Sequence, residues 1–174
     1  MNKKYQLFLL AFLLALGLDQ GTKIWARSTL KPIYPDSRTV IRGYFDMRYS
    51  ENPGAAFSLF RGMGGSRWFL LVVGFGALGV VAYYLKLAEP GQGRIGAELG
   101  LLAGGAIGNM VDRALYGKVT DFIVWKYGVH EWPTFNIADA ALVIGVIGLA
   151  LDTWPEKSVK NEKNERAASD KQRA

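Results

Sequence analysis

WFLLVVGFGALGVVAYYL, residues 68–85, contains no charged side chain. A run of that length reaches the roughly 18 apolar residues at which a helix can cross a bilayer. The chain has 174 residues, half of them apolar, a composition that fits a soluble domain or a membrane bundle equally well. The distribution of the apolar residues separates the two and predicts a membrane span.

Three further apolar segments lie to either side, and the four predicted helices occupy about 5–25, 68–87, 95–113 and 136–154. The first follows Lys3 and Lys4 and resembles a secretory leader, with Ala15-Leu16-Gly17 as a small-residue cleavage site. It also continues through Asp19 and Lys23 to an aromatic anchor at Trp25, which favours a retained helix. The third carries Gly96, Gly100, Gly104 and Gly108 on a four-residue spacing, a stripe that lets another backbone approach. The expected fold is an all-α membrane protein, a four-transmembrane-helix bundle in residues 1–154, with a small extramembrane β-sheet on one side.

The sheet is expected from two loops. In the β-rich loop 27–67, residues 40–49 read as one strand, rich in β-branched and aromatic side chains and followed by Asn52-Pro53-Gly54. In the loop 114–135, residues 119–125 and 129–134 read as a hairpin about Tyr127-Gly128. Residues 155–174 form a polar tail in which six basic residues alternate with Glu156, Glu162, Glu165 and Asp170. The net charge of +6 therefore points to a solvated or lipid-facing tail rather than to a nucleic-acid partner.

Composition also limits the chemistry. Without cysteine there is no disulfide, thiolate site or cysteine nucleophile, and the single His130 rules out a multi-histidine metal centre within one chain. No GxSxG elbow is present, and neither Ser58 nor Ser66 has a histidine near it in sequence. No metal or other cofactor is expected, and acid–base chemistry falls to carboxylates.

Four consecutive spans place the end of the first helix, the end of the third and the start of the fourth on one side of the membrane. Asp19 and Lys23, then Asn109, Asp112 and Arg113, then Asn136 and Asp139 gather there, and the loops add Asn52 and Asp121. An ionisable residue in a span costs about 2.5–3.5 kcal/mol on the insertion scale and marks a candidate functional site. Each has a structural account as well: Asp19 and Lys23 neutralise one another, Asp112 and Arg113 reach headgroups, and Asn136 caps the fourth helix. Two aspartates sharing a proton can activate water with residues present here. Buried aspartates also suit a small proton-coupled transporter or channel, though such a protein would place charge nearer the midplane.

Five ordered blocks carry a family resemblance: Asp19-Gln20-Gly21-Thr22-Lys23, Asn52-Pro53-Gly54-Ala55-Ala56-Phe57, Gly104-Gly105-Ala106-Ile107-Gly108-Asn109-Met110-Val111-Asp112-Arg113, Val119-Thr120-Asp121-Phe122 and Phe135-Asn136-Ile137-Ala138-Asp139. Together they resemble lipoprotein signal peptidase, signal peptidase II. The resemblance implies an aspartic endopeptidase of the bacterial inner membrane that cuts diacylglyceryl-modified prolipoproteins on the N-terminal side of the lipidated cysteine. It implies Asp121 and Asp139 as the catalytic dyad, with Asn52, Asn109, Asp112, Arg113 and Asn136 lining the site and Asp19 and Lys23 beneath it. Thr120 departs from the residue that family members often carry there. Basic residues divide ten to each side, so orientation rests mainly on the resemblance, with both termini cytoplasmic and the site near the outer leaflet. Residues 52–60, with Phe57, Leu59 and Phe60, are an expected lid over the substrate.

Overall fold

The computed structural model describes residues 2–54 and 66–153. Residues 55–60 of the expected lid and the tail 155–174 lie outside the described residues. Four helices are present: α1 (Lys3–Thr29), α2 (Ser66–Leu87), α3 (Gly93–Tyr116) and α4 (Ile137–Thr153). Between them run β1 (Arg38–Ile41), β2 (Phe45–Asn52), β3 (Val119–Tyr127) and β4 (His130–Glu131), an antiparallel sheet in the order β1-β2-β3-β4.

The helices are apolar outward and polar inward. On α1 the buried side chains are Lys4, Ala15, Asp19, Lys23 and Ala26, whereas Leu9, Leu10, Leu13, Leu14 and Leu18 are exposed. Exposed Val72, Val73 and Phe75 on α2 and Val143, Ile144, Val146 and Ile147 on α4 repeat the pattern. In water such a surface would associate or aggregate; in lipid it meets a solvent as apolar as itself.

By length and composition, residues Lys3–Ile33 and Arg67–Leu87 can each cross a membrane unaided. The other two helices fall short of that standard for identifiable reasons. Helix α3 is long enough, 24 residues or about 36 Å, but is diluted by glycines and carries Arg94 and Glu98 within its first turns. Helix α4 has 17 residues, about 26 Å against a hydrocarbon core of about 30 Å.

The glycine stripe of α3 is the surface on which α1 packs. A Cβ at Gly96 would overlap the carbonyl oxygen of Lys4, and one at Gly100 that of Phe8. At Gly104 it would lie 2.7 Å from the Ala15 Cβ, and at Gly108 it would strike the Asp19 carboxylate. The close approach brings polar side chains of α1 within hydrogen-bonding reach of α3. At the opposite end the buried Lys4 ammonium donates to the carbonyls of Leu85 (2.9 Å) and Ala88, answering acceptors that the end of α2 leaves unpaired.

The sheet corrects one expectation. Residues 40–49 are not a single strand but two, β1 and β2, which turn back on each other at Arg42-Gly43-Tyr44 with Ile41 opposite Phe45. Gly43 has φ +84°, the left-handed conformation that such a hairpin loop requires and that a residue without Cβ adopts freely. The second hairpin forms about Tyr127-Gly128, but only His130 and Glu131 of the expected return strand pair regularly. Phe135 rejoins β3 beyond Pro133 through a bridge to Ile123. Ala26, Leu30, Tyr49 and Phe122 form a buried cluster joining α1 to the sheet. Gly117, at φ +75°, ends α3 and turns the chain into β3.

Gly96→Ala forces α1 and α3 apart and is expected to lower stability by about 1–3 kcal/mol, as overpacking does. Gly17→Ala, which meets nothing within 4 Å, is expected to be neutral or slightly stabilising. Thermal unfolding of both variants in detergent checks the contrast.

Candidate active site

Helix α4 begins with unpaired N–H groups that need acceptors, and side chains from three other elements converge on that end. Asn136 caps it: its Oδ1 accepts from the Asp139 N–H at 3.0 Å, and the Asp139 carboxylate accepts in return from the Asn136 N–H at 3.2 Å. This reciprocal capping box holds Asp139 on the first turn and is favoured by the positive end of the helix dipole. The N–H of Ala138 donates to Asp19 Oδ1 at 2.9 Å, tying α4 to α1.

Asn136 also bridges outward. Its Nδ2 donates to Asp121 Oδ1 at 2.6 Å and to Asn109 Oδ1 at 3.2 Å, while Asn109 Nδ2 donates to Asp139 Oδ1 at 2.8 Å. Asp121 is thus held by the Asn136 amide and Asp139 by the Asn109 amide, and the two amides are hydrogen-bonded to each other. Asp121 arrives from β3, opposite Ser50 of β2, and is 2% exposed. Asn52, at the end of β2, hydrogen-bonds Asp121 and accepts from the Gly54 N–H at 2.9 Å.

Beneath this ring lies a buried ionic network. The Lys23 ammonium, with no exposed surface, lies 2.9 Å from Asp19 Oδ2, 2.9 Å from Asn109 Oδ1 and 3.9 Å from Asp112 Oδ2. Because an ammonium only donates, it fixes the oxygen of Asn109 toward itself and turns the amide nitrogen to Asp139. Asp112 accepts from the Thr120 N–H at 2.8 Å, next in sequence to Asp121. Arg113 donates to the Asn109 carbonyl at 3.4 Å and feels the charges of Asp139, Asp121 and Asp112. Every one of the nine candidate residues therefore belongs to this one connected cluster.

Three contributors escaped the sequence reading. Arg27 donates to Thr120 Oγ1 at 2.9 Å and pairs with Asp112 at 3.3 Å, so it clamps the strand that carries Asp121. Thr120 supplies both atoms of that clamp, and Gln20 links Asp19 Oδ2 at 2.9 Å to the Gly108 carbonyl at 3.0 Å. Asp19, Lys23 and Arg27 recur every four residues on one face of α1, a spacing that could have drawn Arg27 into the set.

Electrostatics distinguishes Asp121. Burial, and then the charge of Asp139, raise its pKa to about 6, against the hydrogen bonds from Asn136 and Asn52 and the charge of Lys23. Lys23 and Arg27 balance Asp19 and Asp112, leaving Arg113 to face two carboxylates.

The profile of the family described as Signal peptidase (SPase) II matches residues 11–155. The chain belongs to the signal peptidase II family. A lipoprotein signal peptidase of Xanthomonas euvesicatoria pv. vesicatoria (strain 85-10) is 41% identical over 162 residues, covering 92% of this chain and 93% of that protein. One from Xylella fastidiosa (strain 9a5c) is 38% identical over 146 residues, covering 83% and 86%. A bacterial membrane enzyme solved by the in meso method at 1.9 Å superposes with TM-score 0.79 at 31% identity, over 90% of this chain and 99% of its own. A second, at 2.3 Å, gives 0.75 at 32% identity, over 94% and 95%. Membership of signal peptidase II makes the chain a bacterial membrane peptidase.

The raised pKa of Asp121 has a stability consequence of definite sign. The unfolded carboxyl releases its proton near 3.8 and the folded one near 6. The folded state binds more protons across that window, so wild-type stability falls as pH rises through it. Asp121→Asn keeps the Asn136 contact without the buried charge. It is expected to unfold at a higher temperature than wild type above pH ~7, by the equivalent of roughly 2–3 kcal/mol, with the gap closing toward pH ~4. Thermal scans of both proteins across that range test it.

Proposed function

We propose that this signal peptidase II family member removes the signal peptide from diacylglyceryl-modified prolipoproteins, cutting on the N-terminal side of the lipidated cysteine, and that Asp121 and Asp139 activate the water that cuts. The observation that carries this reading is the hydrogen-bonded chain Asp121–Asn136–Asn109–Asp139, set at the start of a rigid helix, with Asp121 raised to about 6. The residue pattern and the family both point the same way.

In this mechanism the ionised aspartate takes a proton from water, and the protonated one donates a hydrogen bond to the scissile carbonyl. The water oxygen bonds to the carbonyl carbon. The tetrahedral adduct collapses as the amide nitrogen receives a proton from the pair and the C–N bond breaks, leaving a carboxylate on the signal peptide and a free amine on the lipidated cysteine. Asn136 and Asn109 hold the two carboxyls, Asn52 approaches Asp121 from β2, and Arg113 faces the charge that develops. Asp19, Lys23 and Asp112 support the floor. No cofactor takes part.

All four helices cross the inner membrane in this reading, with both termini cytoplasmic and the sheet on the outer side. Residues 1–154 form the peptidase and 155–174 a cytoplasmic tail. The peptide bond just beyond a membrane-embedded signal helix then meets the aspartates at the outer interface. A proton-coupled transporter accounts less well for the same residues, since the carboxylates of the cluster crowd one end of the bundle and residues 68–85 of α2 carry no charge.

The test is cleavage of a diacylglyceryl-modified prolipoprotein by purified protein and by folded Asp121→Asn and Asp139→Asn. Each variant is expected to lose at least about 10³-fold in kcat, while EDTA leaves wild-type cleavage intact. Near-normal turnover in either variant, or chelator inhibition reversed by one divalent ion, contradicts the mechanism.

A further inference from the structure

The end of the bundle remote from Asp121 and Asp139 carries a second polar cluster, at the seam of α3 and α4. Glu98 is 6% exposed, and its Oε2 is buried with no hydrogen-bond donor. Its Oε1 accepts from Arg94 Nε at 3.3 Å, and that same nitrogen lies 3.1 Å from Asp152 Oδ2. One guanidinium, itself more than half exposed, thus serves two carboxyls. We propose that Glu98 and Asp152 receive the positively charged N-terminal end of the signal peptide. The proposal rests on the peptidase reading above and adds to it where the far end of the substrate is held.

The chemistry of the pair selects a cation. A buried carboxyl oxygen without a donor is costly, and an arriving ammonium or guanidinium removes that cost with a charge-assisted hydrogen bond. The room for the carboxyl comes from a glycine: a Cβ at Gly148 of α4 would lie 2.7 Å from Glu98 Oε1. Beside the pair runs an apolar groove of about 460 Å³, between Val81 and Tyr84 of α2 and Leu149 and Ala150 of α4, with Leu99 and Leu102 of α3 also lining it. Leu99 and Leu149 directly follow Glu98 and Gly148, so the groove and the carboxyls adjoin. Tyr84 is more than half exposed, which leaves the groove open to lipid along its side. An apolar helix with a basic end matches both parts, and two carboxyls exclude an anionic headgroup.

Length fits as well. Asp139 and Asp152 stand on the first and last turns of α4, about 20 Å apart along its axis. A signal peptide places its basic residues before an apolar stretch of about 7–15 residues and its cleavage site after it. Wound as a helix, that stretch is about 10–22 Å long. With the scissile bond at the aspartates and the apolar stretch beside α4, the basic residues fall at Glu98 and Asp152.

The experiment uses purified full-length enzyme in a zwitterionic detergent and two diacylglyceryl-modified prolipopeptides with blocked N-termini. They are alike except that the N-terminal lysines of one are glutamines in the other. Wild type is expected to show a KM about two- to fivefold lower for the lysine substrate at equal kcat, because a contact remote from the reacting atoms binds substrate and transition state alike. Asp152→Asn is expected to erase that difference while cleaving the glutamine substrate as wild type does, and Asp152→Lys to reverse it. If Asp152→Asn does not fold, Glu98→Gln takes its place under the same expectation. No lysine preference in wild type, or a full preference kept by the folded variant, overturns the proposal. An equal loss on both substrates also overturns it and assigns the pair to holding α3 against α4. Failure of wild type to cleave either substrate instead overturns the peptidase reading, and this proposal falls with it.

Discussion

A lysine ammonium with no exposed surface sits inside this bundle, and the polar end of the molecule is arranged around it. Removing an ion of this size from water costs several kcal/mol, recovered only where geometry and hydrogen bonds are good. Lys23 meets that condition with Asp19 on its own helix and Asn109 on α3, and Asp112 lies close by. Each partner is then committed: Asp19 accepts from the start of α4, Asn109 turns its nitrogen to Asp139, and Asp112 receives the backbone of β3. One buried cation thereby sets the relative positions of α1, α3, α4 and the strand bearing Asp121. The glycine stripe makes this possible, since a Cβ at Gly108 would occupy the place of the Asp19 carboxylate.

Lipid as solvent explains why so polar a core is tolerable. Many leucines of α1 point outward, and beside the apolar cluster of Val81, Leu99 and Ala103 the bundle depends on close backbone packing and polar contacts. The ionic network works as part of the packing. It also leaves Asp121 buried where its own charge is costly, and the charge of Asp139 adds to that cost.

The sequence disclosed the membrane character through one uncharged run, and the gathering of polar residues through the parity of successive helices. It disclosed residue types but not contacts. Asn136 had two competing readings, helix cap and site residue, and the structure makes it both, with Oδ1 capping α4 and Nδ2 holding Asp121. Gly43 was hidden inside a run of strand formers, so the hairpin was missed where its one left-handed residue marked it. Arg27 was missed because it lies past the apolar stretch, although it continues the four-residue repeat of Asp19 and Lys23. The return strand β4 was overestimated because Pro133, which cannot donate to a ladder, was not weighed against the strand formers around it.

At the centre of the proposed mechanism is a carboxyl proton that Asp121 retains well above the usual carboxylate range. The most direct measurement is the infrared spectrum of the carboxylic acid C=O stretch, taken between pH 5 and 8 on the detergent-purified protein and on the Asp121→Asn and Asp139→Asn variants. The predicted result is a protonated-carboxyl band that titrates near 6 in wild type, is lost in Asp121→Asn and moves to lower pH in Asp139→Asn, because the charge of Asp139 helps to raise it. Two carboxylates ionised throughout that range, with variant spectra differing from wild type only by one carboxylate each, would contradict it.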